Sequence, residues 1–205
     1  VDYAFTSEVQ LSDYELVVLA SPLQRISNPE KYLSAKRLLL VADGLSEFFV
    51  AMPAAVKMME GLTGKPVTFR KVPLNRVASL FGFEFAAQTL VTADAENHLF
   101  VDGIDRQGKK TTLYRSTWVK TTQESTNDWN ILLKADRGVW PSGAITPQQN
   151  LKEPVKPFQP PQEGIKDEYP VIMGNNRVMA VGDHELAFGN DGYFVTILKS
   201  WMENH

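Results

Sequence analysis

The longest apolar run in the chain lies within residues 37–61, RLLLVADGLSEFFVAMPAAVKMMEG. Two periodicities fit it. Leu45, Phe48, Phe49, Met52, Val56 and Met59 fall at the 3.6-residue spacing of one buried helical face. Such a helix carries Pro53 in its interior, where the ring removes a hydrogen bond and clashes with the preceding turn. The other reading sets strands at Leu38–Ala42 and Glu47–Met52, joined through Asp43-Gly44, a pair suited to a turn of positive φ. Pro53 then opens a short helix at its first position, and Gly61 or Gly64 closes it. Hairpin followed by helix is the preferred reading.

Around this stretch the pattern predicts short elements. Tyr14–Leu19 reads as a strand, although Leu11–Leu19 also fits a helix, and Ser21-Pro22 ends it. Asn28 and Pro29 are a cap and first-turn residue for a short helix over Pro29–Ala35. Pro66–Val72 alternates as a strand, and Leu74, Val77, Ala78 and Phe81 make a helical stripe closed by Gly82. Residues 88–119 read as a meander: strands at Thr89–Ala93, His98–Ile104 and Lys110–Val119. In the last, Thr112, Tyr114, Ser116 and Trp118 alternate with Leu113, Arg115, Thr117 and Val119. Trp129–Lys134 fits either a strand or a short helix. Arg177–Val181, His184–Phe188 and Tyr193–Trp201 read as strands turned at Gly182-Asp183 and Asn190-Asp191-Gly192.

The expected fold is therefore α+β, a mainly antiparallel sheet with two or three short helices and a proline-rich extended segment. Residues 1–138 form the core, 139–170 a proline-rich arm or linker, and 171–205 C-terminal strands that pack on the core sheet. Within the core, LLLVADGLSEFFVA and TLVTADAENHLFVDG suggest two loosely duplicated β-α-β-β units. In arrangement alone this is similar to the repeated β-α-β-β units of DNA sliding clamps, with no shared motif, and no family is claimed from it.

The arm stands out by composition. Seven of the twelve prolines, from Pro141 to Pro170, fall within thirty residues, and EPVKPFQPPQEG favours extended polyproline II over a hydrogen-bonded element. Pro154, Pro157, Phe158, Pro160 and Pro161 are its candidate interaction residues. A structureless stretch of this length is uncommon inside one domain, which favours a linker or an arm lying on a partner.

Charge and residue usage narrow the chemistry. The 205 residues include no cysteine, which excludes disulfides, thiolate catalysis and cysteine-held metals. No apolar segment approaches the length of a membrane span, and VDYAFTSEVQ does not read as a signal peptide, so a soluble chain of undetermined compartment is expected. Net charge is −3, yet residues 65–120 carry nine Lys/Arg against five Asp/Glu. Arg106, Lys109, Lys110, Tyr114, Arg115, Trp118 and Lys120 form the candidate nucleic-acid surface, with rings for bases and cations for phosphates. The same lysines also serve a solvated hairpin edge, where they discourage aggregation.

No phosphate-cradling, HExxH or GxSxG pattern occurs. The densest acidic cluster, Asp94, Glu96, His98, Asp102 and Asp105, offers oxygen ligands for a hard cation, and equally the turn chemistry of Asp and Asn. Asp183, His184 and Glu185 are adjacent, and on a strand they point to opposite faces. The reading leans away from an enzyme: a non-enzymatic assembly or interaction subunit of a larger complex, needing no cofactor. Its expected partners are other protein subunits or a second copy. The alternatives are a clamp-like or single-strand-binding protein using residues 106–120, and a divalent-metal enzyme at the Asp94–Asp105 cluster.

Overall fold

The structure is a computed structural model, and it describes residues 9–20, 26–42, 61, 64, 72–86, 88–94, 97, 99–122, 128–142, 168–189 and 192–203. The second strand of the central hairpin reading, the helix after Pro53, the Pro66–Val72 strand up to residue 71 and the arm over 143–167 lie outside them.

Where the apolar run begins, Leu38–Val41 forms strand β2, buried at every position. It lies parallel to β1 (Val17–Ala20) on one side and to β11 (Val178–Val181) on the other. Next come β10 (Tyr169–Gly174), β8 (Asn130–Ala135), β5 (Phe100–Asp105) and β6 (Lys110–Tyr114), each antiparallel to its neighbour. The seven strands run in the order β1-β2-β11-β10-β8-β5-β6. The protein is thus mostly β, broadly α+β, with a mixed sheet where the pattern predicts a mainly antiparallel one. Parallel pairing comes from crossovers, which a hairpin-based reading does not anticipate. Two ribbons complete the strands: β3 (Phe83–Phe85) with β7 (Val119–Thr121), and β4 (Thr89–Val91) with β9 (Trp140–Ser142). Of the two segments read as a duplication, Leu38–Val41 lies in the large sheet, while the other spans both the ribbon, at Thr89–Val91, and the large sheet, from Phe100.

Both faces of the sheet centre are covered, so its strands read as continuous apolar runs. Leu39, Val41, Met179 and Val181 face one core, and Leu38, Leu40, Val178 and Ala180 face the other. In β10, Val171 and Ile172 both enter the first core, because register shifts at Pro170/Ile172 and Ile172/Met173 break the alternation.

The Leu74–Phe81 stripe folds as expected, into helix α1 (Asn75–Ala78) and a 3₁₀ turn over Ser79–Phe81, closed by left-handed Gly82. Leu74, Val77, Ala78 and Phe81 all enter the second core. Pro29–Ser34 is also helical, as a 3₁₀ turn, without a side-chain bond from Asn28.

The C-terminal strand expectations need correction. His184–Phe188 is helix α2 and Tyr193–Glu203 is helix α3. Asp183 is a helix cap and no hairpin turn: its carboxylate accepts the Leu186 N–H. Tyr193, Phe194, Ile197, Leu198, Trp201 and Met202 repeat at helical spacing and pack on the first core. Among the described residues, no helix is long and apolar enough to cross a membrane.

Candidate functional site

The β5–β6 hairpin holds most of the candidate surface. Asp105 builds its turn: Oδ1 accepts the N–H groups of Gln107 (2.8 Å) and Lys109 (2.9 Å), with Gly108 left-handed. Oδ2 accepts the Tyr193 hydroxyl at 2.9 Å, tying the turn to α3. Burial alone would raise this carboxyl, but the bonds from Lys109, Tyr193 and Gln107 together hold it below the usual range.

The basic residues are engaged within the chain. Arg106 donates to the Ile131 carbonyl (2.7 Å) and to Asn130 Oδ1 (2.9 Å). Lys109 lies 4.7 Å from the Tyr193 ring centre, and Lys110 pairs with Asp136 at 2.8 Å. Lys120 stands 3.6 Å from Glu84. Exposed pairs of this kind are weak and open readily to a competing anion. Trp118, by contrast, is only 8% exposed and meets Tyr169 edge to face in the core. It offers no face to a base.

The expected strand Lys110–Val119 ends at Tyr114. Arg115 takes a positive φ of 52°, and Ser116, Thr117, Trp118 and Val119 are all buried. Asp183 holds this break. Fully buried, its Oδ2 accepts the Tyr114 N–H at 2.8 Å and the Ser116 hydroxyl at 2.6 Å. Its Oδ1 accepts the Leu186 N–H at 2.8 Å. Burial raises the Asp183 carboxyl above its ordinary value against these three bonds, and Glu185 adds to the rise. One residue thus joins β6, the end of β11 and α2. His184 turns away and meets the Phe188 ring at 4.8 Å.

Beyond the break the hairpin presents aromatic surface. Phe100 and Tyr114 are cross-strand partners, with ring centres 4.5 Å apart and planes at 27°. The Arg115 guanidinium lies 4.2 Å from the Tyr114 ring centre and 3.8 Å from Glu185. Phe100 remains 48% exposed. With Asp102, Lys110 and Thr112 it shows the side of β5 and β6 opposite Val101 and Leu113, which are core. That side carries the second core over β2, β11 and β10, where α1 and β3 cover it. Over β5 and β6, the second core does not extend among the described residues.

The described members of the acidic cluster do not converge on one point. Asp94 accepts Asn97 N–H at 3.1 Å in a local turn, while Asp105 is bound as described, and Glu96 and His98 lie outside the described residues. Among the described residues, no three metal-ligating side chains converge. Pro154, Pro157, Phe158, Pro160 and Pro161 also lie outside them. Phe100 is the surface residue that the alternation of the meander left unnamed; its period-2 relation to Asp102 carried the signal.

No protein-family model and no curated protein matches the chain. Among solved structures it is similar to the crystal structure of beta-galactosidase from the psychrophilic Marinomonas ef1, with 17% identity and a TM-score of 0.49, over 96% of this chain and 22% of that one. The chain therefore spans less than a quarter of that protein. A likeness this distant carries neither an activity nor a partner to the present chain.

Proposed function

We propose that the chain is a non-enzymatic assembly subunit that makes protein contacts through its proline-rich stretch and its exposed aromatic face. The observation that supports this reading most is the side of β5–β6 where Phe100 stacks on Tyr114 and stays half exposed. Light scattering over a concentration series tests it. A mass above that of one chain, rising with concentration, is expected; a single-chain mass throughout contradicts self-assembly.

A second reading, single-strand nucleic-acid binding, draws on the same stack with Arg115 beside it. It predicts affinity that falls steeply with salt. The loss of Trp118 to the core favours the assembly reading over it.

A further inference from the structure

We propose that Asp183 is a proton-operated clasp: its neutral form holds helix α2 onto residues 114–117, and its ionisation lets α2 come away while α3 stays docked. The inference is independent of the assembly reading and concerns a switch within the fold.

Three observations carry it. The first is the clasp itself. The fully buried Asp183 carboxyl is met by the Tyr114 N–H, the Ser116 hydroxyl and the Leu186 N–H, all of them dipoles. Among the described residues no cation pairs with it. A buried charge balanced by dipoles alone is costly. A neutral carboxyl keeps the same neighbours without that cost: its hydroxyl donates to Ser116 Oγ, which turns from donor to acceptor, and its carbonyl oxygen accepts Leu186. The charged groups around it do not favour ionisation. Arg115 stands 3.8 Å from Glu185, whose own charge opposes that of Asp183. His184 turns onto the Phe188 ring, and on β6 Lys110 pairs with Asp136 at the far end of the strand. Strands β4, β10 and β11 bring no charged side chain, and Lys199 and Glu203 of α3 are exposed.

The second observation is how little else holds α2. Its five residues are too few for a helix to persist alone, Leu186 is its one buried residue, and Phe188 is 52% exposed. Helix α3, by contrast, buries Tyr193, Phe194 and Trp201 and is bonded near both ends, from Tyr193 to Asp105 and from Trp201 Nε1 to the Asn175 carbonyl. Regions with few buried contacts open first, so α2 is the part that a change at Asp183 releases.

The third observation lies on the other side of the clasp. The Tyr114 and Ser116 bonds to Asp183 flank Arg115 and hold it at a φ of 52°, a left-handed conformation that is strained for a residue with a side chain. Opening relieves that strain and uncovers the first core under Leu186. The apolar surface at this end of the sheet thus depends on pH.

The test uses the full chain with ¹³C-labelled aspartate carboxyls. NMR follows Asp183 from about pH 3 to 8, and amide exchange, corrected for its intrinsic pH dependence, gives opening constants at Tyr114, Leu186 and Trp201. The Asp183 midpoint is expected above the ordinary value of about 4. Opening constants at Tyr114 and Leu186 should rise by up to about tenfold per pH unit from there to that midpoint, then level off. Trp201 should stay better protected throughout. A midpoint at or below the ordinary value would overturn the proposal. So would a Leu186 opening constant that does not change with pH, or one equal to that of Trp201. Asp183→Asn cannot ionise and should remove the pH dependence at Leu186; its persistence in the variant contradicts the assignment to Asp183. If the variant does not fold, the titration and exchange of the native chain decide alone.

Discussion

The Ser116 hydroxyl donates to Asp183 at 2.6 Å across 67 residues of sequence, with both side chains fully buried. Tyr114 and Leu186 donate to the same carboxylate, so a single side chain fixes the end of β6 and the start of α2. Asp183→Ala leaves three donors, two of them buried, without this acceptor and removes a helix cap. A loss of about 3 kcal/mol is expected by urea unfolding. Ser116→Ala removes one bond and should cost about 1 kcal/mol. Equal losses in the two variants would contradict the shared-acceptor arrangement.

Two carboxylates should bend the pH–stability curve in opposite directions. Burial raises Asp183 in the folded protein, so its contribution is greatest below the unfolded value and is lost as pH rises through the folded one. Asp105 is lowered overall by its hydrogen bonds, so its contribution is present above the unfolded value and is lost as pH falls through the folded one. Urea midpoints between about pH 3 and 7 check the signs. The stability difference between the native chain and Asp183→Asn should move against the native chain as pH rises. The difference for Asp105→Asn should move in its favour.

Gly182 sits where the buried segment crosses the sheet end. Its carbonyl accepts the Thr117 N–H at 2.7 Å and its own N–H reaches Val171 O at 2.8 Å. A Cβ there would stand 2.2 Å from the Thr117 carbonyl oxygen, a backbone atom unable to swing away. Gly182→Ala should cost about 3 kcal/mol in chemical denaturation, and a loss below 1 kcal/mol would contradict the packing.

Arg115 holds a left-handed conformation that suits glycine. Arg115→Ala keeps that backbone cost and removes the contacts with Tyr114 and Glu185, whereas Arg115→Gly removes both cost and contacts. The glycine variant is expected to be about 1 kcal/mol more stable than the alanine variant, read from thermal or urea unfolding.

How much of this was legible in the sequence depended on range. The Leu74–Phe81 stripe and the Gly82 stop were readable because a local period and a local residue type specify them. Leu38–Val41 was readable as a strand, but its parallel partners were not, since they come from residues 17–20 and 178–181. Tyr193–Glu203 carried a helical stripe in plain view, and its β-branched and aromatic residues drew the strand reading instead; packing on the core overrode propensity. At the candidate surface, Tyr114 and Arg115 are legible from the sequence and are half-buried. Trp118 falls to the core because the strand ends at the Arg115 break, after which Ser116–Val119 are all buried. Nothing local announces that break, which depends on a carboxylate at position 183.

The most direct measurement is light scattering after size exclusion on the intact chain and on a chain lacking residues 150–165, with circular dichroism to confirm that both are folded. An oligomeric intact chain and a folded monomeric deletion are the expected pair. Two folded monomers, or two oligomers of the same order, would contradict assembly through the proline-rich stretch.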